Sequence, residues 1–192
     1  MKFILHRARI TFLALLAALA AGLAQAQNYE GTDPATGYRI GEYRGKTPAS
    51  VPGAAAVDSA AAQKLHGEGV AFIDVWGVPG VEPDPLSGAW EFGTPHETIP
   101  GSRWVPNIGT GTLNISMDGY FREQLAKAAG PPPGRPVVFF CQRDCWMSWN
   151  AAKRAASWGY KLVYWYADGT DGWKDSGAPL APAAAPEPVE MD

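Results

Sequence analysis

Val137-Val138-Phe139-Phe140-Cys141-Gln142-Arg143-Asp144-Cys145-Trp146-Met147-Ser148-Trp149 is the stretch that decides how this chain folds. Its first four residues are continuously apolar and β-prone, the pattern of a strand covered on both faces. Residues 148–158 then read as a helix, with Gly159 just beyond its end. The intervening residues 141–147 therefore form a loop that leads from the carboxyl end of a strand into a helix.

The same alternation continues on either side. Upstream, a helix capped by Asp58 or Ser59 runs through Leu65 and stops at Gly67, and Val70-Ala71-Phe72-Ile73-Asp74-Val75-Trp76 follows as a second buried strand. Residues 77–85 and 93–111 are rich in Gly and Pro and read as loops, interrupted by Trp90, Phe92 and Trp104. A helix over residues 119–129 ends at Gly130 and Pro131-Pro132-Pro133. Downstream, Lys161-Leu162-Val163-Tyr164-Trp165-Tyr166 is a third strand and Asp168-Gly169-Thr170-Asp171-Gly172 is turn chemistry. Strands alternating with helices predict an α/β domain, a central parallel sheet with helices on both faces. Ligands of such sheets bind beyond the strands' carboxyl ends, where the Cys141 loop falls. The eight tryptophans are expected mainly to pack the core.

The termini set the compartment and the domain limits. Lys2, Arg7 and Arg9 precede an apolar run over residues 10–23, and Ala24-Gln25-Ala26 is a small-x-small cleavage signature, so residues 1–26 read as a signal peptide cleaved near Ala26. The apolar run is short for a membrane span, and no other stretch approaches that length. Three cations and no Asp or Glu lie in the segment, so its removal takes the formal net charge from −3 to −6. Nucleic acid and anionic membrane are poor partners for such a chain. Residues 27–56 are expected to form an N-terminal arm draped over the domain, and the Pro/Ala-rich tail, 182–192, to be disordered or extended.

Chemistry concentrates on the two cysteines. N–H groups and the helix dipole converge on a loop entering a helix, and they acidify a thiol placed there. Cys141, first in the loop, is the expected attacker, although the neighbouring Phe139, Phe140, Trp146 and Trp149 oppose its ionisation. Cys145 is four residues on, within disulfide range if the loop coils. So small a ring restrains the unfolded chain little, about 2 kcal/mol, which favours a redox-active or transfer-competent pair over a purely structural bridge. Gln142, Arg143, Asp144, Trp146, Met147 and Ser148 make up the rest of the expected site, with Arg143 as an anion contact. Two thiolates beside Met147 also suit Cu(I), but His66 and His96 stand far off in sequence, and no cofactor is required. His96 reads as a loop residue.

The segments Phe72-Ile73-Asp74-Val75, Ile99-Pro100-Gly101-Ser102, the strand ending in Cys141, Gly159-Tyr160 and Asp168-Gly169-Thr170-Asp171-Gly172-Trp173 with Gly177-Ala178-Pro179 together resemble the running signature of rhodanese-like domains over residues 57–181. The resemblance implies that Cys141 accepts sulfane sulfur as a persulfide and passes it to a thiophilic acceptor. The loop is one residue longer than the usual sulfurtransferase loop and matches the related phosphatases in length, yet Met147 stands where their closing arginine would, before Ser148. Trp76 likewise replaces an arginine common after the aspartate. Cys145-Trp146-Met147-Ser148-Trp149-Asn150-Ala151-Ala152-Lys153-Arg154, with Tyr38-Arg39 and Pro100-Gly101-Ser102-Arg103-Trp104-Val105-Pro106, further resembles the PQQ-dependent catabolism-associated CXXCW motif proteins, although Gln142-Arg143-Asp144 puts three residues between the cysteines. That resemblance implies a periplasmic protein serving a quinoprotein dehydrogenase system or its cytochrome. Two further readings stand beside thiol chemistry: a non-catalytic binding module for such a partner or for a cofactor, and Cu(I) handling.

Overall fold

The computed structural model describes residues 29–191; the expected signal peptide lies outside the described residues. In chain order the elements are β1 (Ala55–Val57), α1 (Ser59–Gly67), β2 (Ala71–Asp74), β3 (Glu97–Thr98), β4 (Arg103–Trp104), α2 (Ile115–Ala129), β5 (Val137–Phe140), α3 (Trp146–Ser157), β6 (Val163–Tyr166), α4 (Gly169–Asp175) and β7 (Ala181–Pro182). Five strands form one sheet in the order β1-β6-β5-β2-β4, every neighbouring pair parallel. The expected α/β architecture is what the chain adopts.

Side-chain alternation along the strands divides the core in two. Ile73, Val137, Phe139, Val163 and Trp165 face the side covered by α2 and α3, where Phe121, Leu125, Ala151 and Ala155 complete one apolar cluster. Phe72, Val138, Phe140 and Tyr166 face the side covered by α1 and α4, with Ala62 and Trp173. The central strand β5 is buried at every residue, as its unbroken apolar run requires.

Several boundaries differ from the sequence reading. Helix α2 starts at Ile115, not Gly119, because the Asn114 side chain accepts the Met117 N–H at 2.8 Å and caps the helix there. Helix α3 starts at Trp146, two residues early, and Asp168-Gly169-Thr170-Asp171-Gly172 opens α4 instead of making a turn. The sheet begins inside the expected arm, since Ala55 pairs with Tyr164.

The tail is also held down. Ala181 and Pro182 pair with Thr98 and Glu97, the Val189 side chain is buried, and its N–H donates to Gly88 O at 2.9 Å. Glu187 is gripped by Arg103, by Gln124 Nε2 at 3.0 Å and by Lys127 Nζ at 2.6 Å. A Pro/Ala composition hides these anchors, which are backbone pairings and the side chains of Glu187 and Val189. Hydrogen bonds from Gln124 and Lys127 draw the Glu187 carboxyl down to about 2. A carboxylate held below its unfolded value of about 4.3 stabilises the fold above that pH, and the contribution disappears as pH falls toward the folded value. Because Glu187 is substantially exposed, screening limits the effect to below about 1 kcal/mol. Urea midpoints of wild type and Glu187→Gln should therefore differ at pH 7 and converge between about pH 4 and pH 2; a constant gap across that range would show that the charge plays no part.

Candidate functional site

Between β5 and α3 the chain turns through residues 141–145 at the carboxyl end of the sheet. The Cys141 carbonyl accepts the Thr170 N–H at 2.9 Å, and Gln142 bridges to Gly169. Asp144 adopts the left-handed conformation, φ 55°, which Asp tolerates better than most residues and which swings the chain into α3. Cys145 is left as the extended N-cap of that helix, φ −112° and ψ 110°. The N-terminal arm crosses here: Arg44 forms an antiparallel bridge with Cys145, flanked by Gly45 N–H to Asp144 O at 2.9 Å and Trp146 N–H to Tyr43 O at 2.8 Å.

The two thiols are unequal. Both are free and only 1% exposed, and they are hydrogen-bonded to one another. Burial pushes the Cys141 thiol well up, helped by its hydrogen bond to Cys145, by the negative charge Cys145 carries when ionised and by the Asp74 carboxylate; the Gln142 N–H opposes this weakly. Cys145 moves down, chiefly through the hydrogen bond from Cys141, aided against burial by the Met147 and Ser148 N–H groups and the Arg44 cation. These directions are opposite to the expectation that Cys141 is the acidified thiol. Burial at Cys141 and the hydrogen bond between the thiols are the leading causes, and the earlier helix start adds the Met147 and Ser148 N–H groups at Cys145.

The other expected site residues are turned to other tasks. The Arg143 guanidinium pairs with Asp168 at 3.1 Å and Asp175 at 2.7 Å, and its backbone N–H donates to Asp171 Oδ2 at 3.0 Å. Its expected role as an anion contact gives way to these carboxylates, because α4 presents them to the loop. The Ser148 hydroxyl, fully buried, donates to Cys145 O and accepts the Trp165 indole N–H, both at 3.0 Å. Trp146 and Met147 are core residues, Trp146 meeting Tyr29 and Trp149 edge-on. Among the described residues, no group of three or more His, Cys, Asp or Glu is placed to hold a metal ion.

Sequence reasoning missed four contributors. Arg44 and Tyr43 of the arm carry no sequence signal of their role, since the bridge to Cys145 spans a hundred residues of chain. Asp171 lay in a segment read as a turn. Asp74 ends β2 beside β5 and is fully buried, accepting from His96 Nε2 at 2.8 Å, Thr98 Oγ1 at 2.6 Å and Trp76 N–H at 2.9 Å. His96 also stacks on Trp76, with centroids 4.4 Å apart. A charged residue ending an otherwise apolar strand was the available clue.

The loop's shape depends on Gly169, which sits at φ +51° with its Cα against Cys141; a Cβ there would lie 2.1 Å from the Cys141 carbonyl oxygen. Gly169→Ala should destabilise the protein by about 1–3 kcal/mol through strain and displacement of the loop. A lowered urea midpoint together with faster alkylation of both cysteines would bear this out, and wild-type values in both would refute it.

Comparison with known proteins agrees with this architecture. The Rhodanese-like domain family matches residues 59–176. Among solved structures, the chain is similar to the polysulfide-sulfur transferase homodimer of Wolinella succinogenes, at 21% identity over 67% of this chain and 79% of that one, TM-score 0.43. It is also similar to the thiosulfate sulfurtransferase of Pseudomonas aeruginosa, at 16% identity over 72% of this chain but 22% of that one, TM-score 0.46. No curated protein is matched by the sequence. With the family match covering more than half its length, a parallel sheet of five strands and a cysteine loop at the sheet's carboxyl end, this chain belongs to the rhodanese-like domain family.

Proposed function

We propose that this protein is a thiol enzyme that transfers sulfur or exchanges disulfides through Cys141 and Cys145. The observation that carries the reading is the pair itself: two free, buried thiols four residues apart at the carboxyl end of the sheet, only one of which caps a helix, so that ionisation is eased at Cys145 and opposed at Cys141. A structural bridge has no need of that polarisation. A pair doing chemistry does, because attack requires one thiolate and resolution a second thiol in reach.

Of the two reactions, the loop favours disulfide exchange. An anionic sulfur donor such as thiosulfate would need N–H groups and cations free to receive it. Here the Arg143 N–H is taken by Asp171, its guanidinium by Asp168 and Asp175, and the Trp146 N–H by the arm. A disulfide makes no such demand.

The setting we propose is the periplasm, reached through the signal peptide, in support of PQQ-dependent alcohol oxidation by a quinoprotein dehydrogenase and its cytochrome. The run from Cys145 to Arg154 and its resemblance to the CXXCW motif proteins support this. Such a compartment permits disulfides and supplies them as substrates.

Mass spectrometry of the reduced protein after exposure to thiosulfate or to a small disulfide tests the chemistry. A persulfide, a mixed disulfide or an internal Cys141–Cys145 bond is expected, with the disulfide the faster donor. A protein unmodified by either, whose Cys141→Ser variant also supports normal growth on alcohols, would refute the reading.

A further inference from the structure

The two cysteines are equally hidden, so the order in which they act depends on what must move to reach each. Cys141 follows the central strand β5, flanked in the sheet by β6 and β2. Its carbonyl is tied to Thr170, Gly169 packs directly on that carbonyl, and its side chain belongs to the same apolar cluster as Ile73 and Trp165. Reaching it means opening that cluster. Cys145 belongs to the same cluster, but the N-terminal arm pairs directly with its backbone. Arg44, itself exposed, bridges to it from the arm, and the flanking contacts are two backbone hydrogen bonds from Gly45 and to Tyr43, bonds that water replaces when the arm lifts.

We infer that Cys145 is the attacking thiolate and Cys141 the resolving thiol, the reverse of the order expected from the rhodanese-like loop. This rests on the thiol-exchange reading above. The charged groups around the pair agree with it. Arg44 faces Cys145 from the arm and Asp74 faces Cys141 from β2, while Arg143, Asp168, Asp171 and Asp175 are engaged with one another on the far side of the loop.

The chemistry balances as a thiol–disulfide exchange. The Cys145 thiolate attacks one sulfur of a substrate disulfide; a Cys145–substrate S–S bond forms, the substrate's own S–S bond breaks, and the departing thiolate takes a proton from water. Covalent capture removes the negative charge on Cys145 and its capacity as a thiolate acceptor, two of the causes that hold the Cys141 proton in place. Cys141 then loses its proton to solvent admitted by the lifted arm, and its thiolate attacks the Cys145 sulfur; the internal disulfide forms, the Cys145–substrate bond breaks, and the second substrate half leaves as a thiolate that takes a proton from solvent. The protein's dithiol is oxidised and the substrate disulfide is reduced to two thiols. Before capture Cys141 is restrained; capture itself releases it.

The test uses the reduced full chain and glutathione disulfide, quenched in acid at successive times and mapped by peptide mass. The expected first product carries glutathione on Cys145 and gives way to the internal disulfide. Cys141→Ala should accumulate that adduct, and Cys145→Ala should react at least tenfold more slowly than wild type. Glutathione appearing first on Cys141, or a Cys145→Ala chain that reacts at the wild-type rate, would overturn the assigned order and leave disulfide exchange standing. Formation of neither adduct nor internal disulfide would overturn the exchange reading and this assignment together. The early-time mapping needs no substitution, so it decides the order even if the alanine variants fold poorly.

Discussion

The chain has only residues 141–145 in which to leave the central strand of its sheet and begin a helix packed on one face of that sheet. Everything at the site follows from this short connection. Cys141, still in line with β5, is buried as the strand is buried. Asp144 must take the left-handed conformation to reverse direction, and Cys145 falls at the helix cap. The two sulfurs are thereby forced together inside the protein, with the helix end on the side of only one of them. Burial and the hydrogen bond between the thiols make them unequal, and the helix N–H groups at Cys145 add to the difference.

The surroundings deepen that inequality. A carboxylate that is fully buried yet triply hydrogen-bonded, Asp74, lies beside Cys141 and opposes its ionisation, while the nearest cation, Arg44, lies beside Cys145. On the other flank, α4 supplies three carboxylates that occupy the loop's arginine and one of its N–H groups. The cation and the N–H group that Arg143 could offer an anion are held by the protein's own acids. The chain keeps the family's architecture.

Much of this was legible in the sequence. The apolar runs ending in Asp74, Phe140 and Tyr166 located the central strands because a strand covered on both faces has little choice of residue. Their alternation with helices fixed the parallel topology, and the cysteine loop was placed at the correct end of the sheet. What escaped was decided by contacts between distant segments or by shifts of a residue or two. The helix start at Trp146 goes with the left-handed conformation of Asp144, which Asp tolerates but, unlike Gly, does not announce. The arm reached Cys145 through backbone groups, which leave no signature in residue identity. The tail was judged by its Pro and Ala content, while Glu187 and Val189 did the anchoring.

The structure makes the two thiols of the reduced pair unequal, with ionisation eased at Cys145 and opposed at Cys141. Following thiolate ultraviolet absorbance of the reduced wild-type protein across pH tests this without any substrate or substitution. We expect one thiol to titrate below the ordinary cysteine value of about 8.5 and the other to resist deprotonation until well above it. Two thiols titrating together near that ordinary value would contradict the account.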